Sequence, residues 1–396
     1  MLIDADGHVM EPADVWVDRM DAARWGDLIP RYVAEDTDGK DSWYIGGVRR
    51  AAGSAIFGCS AGFDAEELLA RNWKYTEGHA GAWDPTARLR TLDEEGIDAT
   101  VLYPSLTLTL GPLDPIEAVR NPAFVLDCHR AYNEWIAEFC ATDRRRLYAA
   151  AAVPLQDVGL AVAEARRAVG VLGLSAVFIR SAAYVDELPF SHRVYDPFWA
   201  TCQELGVPVA LHPATHTDLP NAARKFNLIR QSPDMAEVNK VADEVTGGTA
   251  LSIAVGAPVD AIISLGRLLM GGVCERFPDL KILVLESGGG WAASLLERMD
   301  EEIEANPQEA RWLTMRPSEY FRRQCWISFE PNDPTLPRVA DLIGEDRILW
   351  ASDFPHSDAV YPGSVKALED TIASLRDDVK HGIRGANAVA AYGLEL

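Results

Sequence analysis

The chain has 396 residues, 48 % of them hydrophobic, which fits an ordinary globular protein of one large domain or two to three smaller ones. Its 60 acidic against 37 basic residues leave a formal charge of −23, a surface that repels phosphate backbones and argues against a nucleic-acid partner. No apolar run reaches the roughly 18 residues of a membrane helix, since the nearest, Gly247–Val273, is interrupted by Pro258, Asp260 and Arg267. The opening MLIDADGHV lacks the basic start and apolar core of a signal peptide. The 6 cysteines have no CxxC and no regular spacing, which reads as reduced thiols and a cytoplasmic location.

Short apolar runs alternate with helical stretches, the pattern of a parallel α/β fold. The first strand is read at Leu2–Val9 and the second at Asp98–Pro104, with the third at Leu147–Val153. Leu174–Ile179, Val207–His212, Lys281–Glu286, Cys325–Phe329 and Ile348–Ser352 follow as strands four to eight. Helices are expected at Asp84–Glu95, Pro122–Ala141, Val158–Val169, Val194–Leu205, Ala292–Ala305, Thr335–Ile343 and Ser364–Arg376, with Val379–Leu394 closing the chain. Asp84 followed by Pro85 forms an N-terminal cap, and Gly96 a C-terminal stop. Eight strands with intervening helices predict an α/β fold of the (β/α)8 TIM-barrel type, read as a single domain over 1–396, with an open doubly wound sheet as the alternative. Two stretches exceed simple strand–helix units. About 30–60 carries a hairpin (SWYIGGVRR), and about 215–273 is a mostly helical excursion after strand five. Both follow the C-terminal ends of strands, so both are expected over the barrel mouth.

Polar residues end several of these strands. Asp6 and His8 are two apart on strand one, so period-two geometry gives them one face, with Asp4 deeper on it. His212 ends VPVALHP, Glu286 ends KILVLE before three glycines, and Asp353 ends ILWASDFPH. Each has a bland reading alone: a hydrogen-bonded Asp–His pair, a core histidine, a cap on a glycine turn, a helix cap. Together they end strands one, five, six and eight, which open on the same mouth of a barrel. Burying carboxylates and imidazoles there is costly without a partner, and one divalent cation supplies it. Such ligands suit Zn2+ first, with Mn2+ or Fe2+ as alternatives.

These residues lie in blocks that carry a family resemblance: IDADGH from Ile3, WDPTARLRTLDEEGIDATVLYPS from Trp83, LHP from Leu211, FPDLKILVLESGGGW from Phe277, WASDFPHSD from Trp350 and GANAVAAYGL from Gly385. In this order, over nearly the whole chain, they resemble the amidohydrolase-related family that includes aminocarboxymuconate-semialdehyde decarboxylase and other aromatic-acid decarboxylases. The resemblance implies that Asp6 and His8 stand where the family has its strand-one HxH metal pair, His212 at the strand-five ligand, and Asp353 at the strand-eight aspartate. Two positions depart from it. Asp6 replaces the first histidine of the pair, and Glu286 stands where a catalytic histidine is common. The metal set is therefore Asp6, His8, His212 and Asp353, with Asp353 and Glu286 as catalytic candidates.

The resemblance also implies metal-dependent carbon–carbon cleavage, most simply non-oxidative decarboxylation of an aromatic or unsaturated carboxylic acid, and a homodimer. The rival is hydrolysis by a metal-activated water, and a third reading is a metal-binding barrel without activity. Arg180 after strand four is expected to pair with a substrate carboxylate, against a surface salt bridge. His356 in DFPHSD is expected to touch substrate, against a loop-capping role. His216 is a weaker candidate, Gly288–Gly290 reads equally as an anion nest or as close packing, and the tryptophans, Trp73, Trp83, Trp291 and Trp350 among them, read as the lining of an aromatic pocket or, for most, as core.

Overall fold

The computed structural model describes residues 1–37, 39–50, 54–71, 74–111, 116–213 and 252–395. His216, Trp73 and most of the excursion expected at 215–273 lie outside the described residues. The chain starts with β1 (Ile3–His8), followed by β2 (Arg31–Val33), β3 (Ser42–Ile45) and β4 (Val48–Arg49). The main strands continue with β5 (Ala99–Tyr103), β6 (Leu147–Ala152), β7 (Ala176–Ile179), β8 (Val209–Leu211), β9 (Ile282–Val284), β10 (Cys325–Phe329) and β11 (Ile348–Trp350). The eight main strands pair in the order β1-β5-β6-β7-β8-β9-β10-β11, each pair parallel. All eight expected strands are present, shorter by up to two residues at an end. The open sheet is set aside, because β1 and β11 meet and the sheet curls into a TIM barrel.

Helices lie between the strands and cover them, so β5, β7, β9 and β11 are buried along their whole length. A parallel sheet buried on both sides selects continuous apolar runs, which is why these strands read so clearly. The helix Pro85–Glu95 starts as expected, with the Asp84 carboxylate accepting from the Thr86 and Ala87 amides. The expected hairpin is β3–β4, and β2 adds a third antiparallel strand. It packs through Trp43 against Trp16 and Tyr75, and it does not line the cavity at the mouth described below. The closing helix is interrupted: Asp377–His381 and Asn387–Tyr392 flank one wide turn over Gly382–Ala386.

The barrel closes by side-chain and strand-end bonds rather than by a ladder. The Asp4 carboxylate accepts from the Ser352 amide at 2.8 Å, the Ser352 hydroxyl at 2.7 Å and the Thr100 hydroxyl at 2.9 Å. Beyond β11, the Asp353 amide donates to the Asp6 carbonyl at 3.0 Å and the His8 amide to the Phe354 carbonyl at 2.8 Å. Arg88, fully buried, ties the same ends together by donating to the carbonyls of His8, Gly81 and Phe354. Strict period-two spacing fails within β1, where the register against β5 shifts between Asp4 and Gly7. Gly7 permits the shift: a Cβ there would lie 2.8 Å from Asp4 Oδ2 and from Thr100 Oγ.

Burial pushes the Asp4 carboxyl above its ordinary range, while the bonds from Ser352 and Thr100 and the nearby Arg88 charge pull the other way. Replacing Asp4 by Ala leaves buried donors without acceptors, which is expected to cost about 3 kcal/mol or more. A denaturant titration of Asp4→Ala checks this, and an unchanged midpoint would contradict Asp4 as the closing bond.

Candidate metal centre

The strand-end residues converge at the C-terminal mouth of the barrel. His8 Nε2 lies 3.5 Å from Asp6 Oδ1, 3.3 Å from Asp353 Oδ1 and 4.0 Å from Glu286 Oε2. His212 Nε2 lies 3.5 Å from the same Asp6 oxygen and 3.3 Å from Glu286 Oε2. Asp6, His8 and His212 are all buried and each brings one ligand atom within 4.8 Å of the others.

None of these contacts is a hydrogen bond. Asp6 Oδ1, His8 Nε2, His212 Nε2 and Asp353 Oδ1 are buried polar atoms with no hydrogen-bond partner. Asp6, His8 and His212 face one another, and Asp353 joins them through His8; such atoms are costly, since each forgoes water and gains nothing. The outer nitrogens are satisfied: His8 Nδ1 donates to the Pro104 carbonyl at 3.1 Å and His212 Nδ1 to the Pro213 carbonyl at 2.7 Å. A carbonyl can only accept, so both rings carry hydrogen on Nδ1 and turn the Nε2 lone pair inward, as metal-binding imidazoles do. Donors about 2.1 Å from a common ion lie roughly 3.0–3.4 Å apart, close to the spacing of this cluster. The residues fit a divalent cation.

Electrostatics agree. Burial first, then neighbouring carboxylates, pushes Asp6, Glu286 and Asp353 well above the ordinary carboxylate range. Burial also lowers His212, and lowers His8 well below its usual value, with His356 and His212 as further causes. A glutamate beside a cation is ionised. In the metal-free cluster burial works the other way, and only a cation reverses it.

Local backbone geometry aims two of the carboxylates. Glu286 (φ 43°) and Asp353 (φ 56°) are non-glycine residues in the left-handed region, two residues beyond β9 and three beyond β11. Such positions cost of order 1 kcal/mol or more and persist where surrounding bonds hold them. The Glu286 amide donates to Ser328 Oγ at 3.2 Å, and the Asp353 amide to Asp6, as above. The mouth holds a cavity of about 370 Å3 with Asp6, Glu286 and Asp353 at its base. Its walls combine Ile253, Ala257 and Val360 with Glu330, Asn332 and Asp358.

The two remaining candidates stand off the cavity wall. His356 does not line the cavity; its ring stacks on His8 with centroids 3.9 Å apart, and its Nδ1 is 2.9 Å from Asp353 Oδ1. Arg180 is buried, not a surface ion pair: it donates to the Leu108 carbonyl at 3.0 Å, and its charge reaches His212. It too is absent from the cavity wall among the described residues. The glycines after Glu286 serve packing: a Cβ on Gly289 would meet the Phe329 ring at 2.2 Å. The sequence reading missed Ser105, Ser328, Glu330, Asn332 and Asp358. Of these, Ser328 and Glu330 sit at the end of CWISF, where the strand-end rule applied to β1 and β8 would also have found them.

A parallel barrel with paired carboxylates and imidazoles at its mouth defines the class: a metal-binding barrel of the hydrolase and lyase type. The amidohydrolase family model matches residues 3–394, and the chain belongs to that family. It is 22 % identical over 323 residues to 2-amino-3-carboxymuconate-6-semialdehyde decarboxylase of Dictyostelium discoideum, covering 81 % of this chain and 80 % of that one. It is 26 % identical over 303 residues to gamma-resorcylate decarboxylase of a Polaromonas species, covering 74 % and 83 %. Among solved structures, an amidohydrolase from Mycobacterium avium subsp. paratuberculosis superposes with a TM-score of 0.77 at 23 % identity over 99 % of both chains. Dihydroxybenzoic acid decarboxylase from Polaromonas, solved with manganese and 2-nitroresorcinol, superposes at 0.62 with 20 % identity, over 99 % and 97 %.

Ligation requires carboxylates and imidazoles free of protons, so protons compete with the metal. In the metal-free protein, carboxyls raised above their unfolded values favour the protonated folded form, so their contribution falls as pH rises from the ordinary carboxylate range. The lowered histidines contribute oppositely, and that contribution is complete above the ordinary imidazole value. Added Mn2+ is therefore expected to raise the melting temperature more at pH 7.5 than at pH 5.5. Equal shifts at both pH values would contradict the cluster as the binding site.

Proposed function

We propose that the protein is a metal-dependent decarboxylase that removes CO2 from a small aromatic or unsaturated carboxylic acid without an oxidant. The observation that carries the reading is the set of unpartnered ligand atoms of Asp6, His8, His212 and Asp353, of which Asp6 and Asp353 line a 370 Å3 cavity. The named relatives support the reaction class: they are decarboxylases of gamma-resorcylate and of an aminocarboxymuconate semialdehyde.

In this reading Asp6, His8, His212 and Asp353 hold the ion, with Glu286 beside His212. When bound, a divalent ion supplies Lewis acidity and orients the substrate carboxylate. Manganese stands beside zinc as the metal, supported by a carboxylate-rich ligand set and by the manganese in the Polaromonas structure. The carbon–carbon bond breaks, CO2 leaves, and the electron pair remains on the carbon. Asp353 takes a proton from the substrate acid or from solvent and passes it to this carbon through a carboxylate oxygen. Glu286 orients the bound groups through its charge. The walls of Ile253, Ala257 and Val360 take the flat apolar body of the substrate. Arg180 acts on His212 as a buried positive charge, while contact of His356 with substrate is left aside, since His356 turns toward Asp353. A homodimer, a cytoplasmic location and a single domain over 1–396 belong to the same reading; the family match over residues 3–394 supports the single domain and six buried free cysteines support the location.

The test is release of CO2 from gamma-resorcylate, 5-carboxyvanillate and related acids by protein reloaded with Mn2+ or Zn2+. Asp353→Asn is expected to lower turnover by about 10^3-fold or more, and Glu286→Gln by roughly 10-fold or more. Cleavage of an ester or amide without CO2 would select hydrolysis instead. A Glu286→Gln enzyme with normal rate and metal affinity would reduce Glu286 to a cap on its glycine turn.

A further inference from the structure

His8 and His212 carry hydrogen on Nδ1 and point Nε2 inward. His356 is bonded the other way round. Its Nε2 lies 2.9 Å from Ser105 Oγ, and the single hydrogen of that hydroxyl goes to the Val9 carbonyl at 2.7 Å. Ser105 must therefore accept, so Nε2 of His356 carries the hydrogen. A neutral His356 is left with its lone pair on Nδ1.

That nitrogen faces the cluster. It lies 2.9 Å from Asp353 Oδ1, yet no hydrogen bond joins the two. His8, Asp353 and His356 each bring one ligand atom within 4.8 Å of the others, and Asp353 Oδ1 is itself 3.3 Å from His8 Nε2. Stacking on the His8 ring holds the plane of His356, and Ser105 holds its far edge. The cavity already carries the carboxylates of Asp6, Glu286, Glu330, Asp353 and Asp358. A neutral nitrogen adds a donor there without adding negative charge.

We propose that His356 is a ligand of the divalent ion through Nδ1, its tautomer set by Ser105, so that the ion is held by three imidazoles instead of two. The proposal rests on the metal centre but not on decarboxylation. It gives Asp353 a companion ligand on the same turn, so the ion stays held while the Asp353 carboxyl exchanges a proton.

Pulsed electron paramagnetic resonance on Mn2+-loaded protein counts the coordinated imidazole nitrogens without using activity. Three are expected in the unaltered protein, two in His356→Phe and two in His212→Ala. Phe keeps a ring to stack on His8, and its Mn2+ dissociation constant is expected to rise about 10- to 100-fold. Ser105→Ala, which frees the tautomer, is expected to weaken Mn2+ binding by a smaller factor. A count of two in the unaltered protein overturns the proposal before any variant is made. An unchanged count and affinity in His356→Phe also overturns it, and leaves His356 as a ring packed on His8. If His212→Ala loses no nitrogen either, the metal centre itself is misplaced.

Discussion

Everything at the barrel mouth depends on how β1 is joined to β11. The two strands share no ladder, and the Asp4 carboxylate spans the gap by taking both polar hydrogens of Ser352. The residue after Ser352 is Asp353, and two beyond Asp4 stands Asp6. The bond that closes the barrel thus also fixes the distance between the ligands on its first and last strands. With Asp353 N bound to the Asp6 carbonyl, the carboxylates of both residues and the His8 ring have little freedom to turn away from one another.

Closure creates an electrostatic problem and leaves it unsolved by the protein alone. Carboxylates pressed together out of water repel, and the imidazoles among them hold their lone pairs inward because Pro104 and Pro213 fix the opposite nitrogens. Protonation relieves part of the repulsion, which is the direction in which Asp6, Glu286 and Asp353 are pushed. A divalent cation relieves more of it and also uses the nitrogens. The strained backbone at Glu286 and Asp353 fits the same picture: each turn is held by a bond from a neighbouring strand, and the carboxylate it carries is spent on the site rather than on stability.

Much of this was legible in the sequence. An apolar run that ends in a single polar residue is easily seen, and VPVALHP and ILWASDFPH located His212 and Asp353 without any coordinates. The barrel was legible for the same reason, since strands buried on both faces leave continuous apolar text. What escaped depends on partners far apart in the chain. Asp4 meets Ser352 across 348 residues, and Ser105 meets His356 across 251. No local pattern encodes such pairs. The register shift at Gly7 was hidden as well, because alternation of Asp4, Asp6 and His8 looks regular until the neighbouring strand is placed. His356 was read as a substrate contact because its position after Asp353 was visible, whereas the hydroxyl that orients its ring was not.

The central claim is that one divalent ion occupies the space among Asp6, His8, His212 and Asp353. Diffraction from crystals grown with Mn2+, recorded near the manganese edge, tests it most directly. The account predicts an anomalous peak within bonding distance of Asp6 Oδ1, His8 Nε2 and His212 Nε2. A structure with no peak there, and with those atoms satisfied by water or by one another, would contradict it.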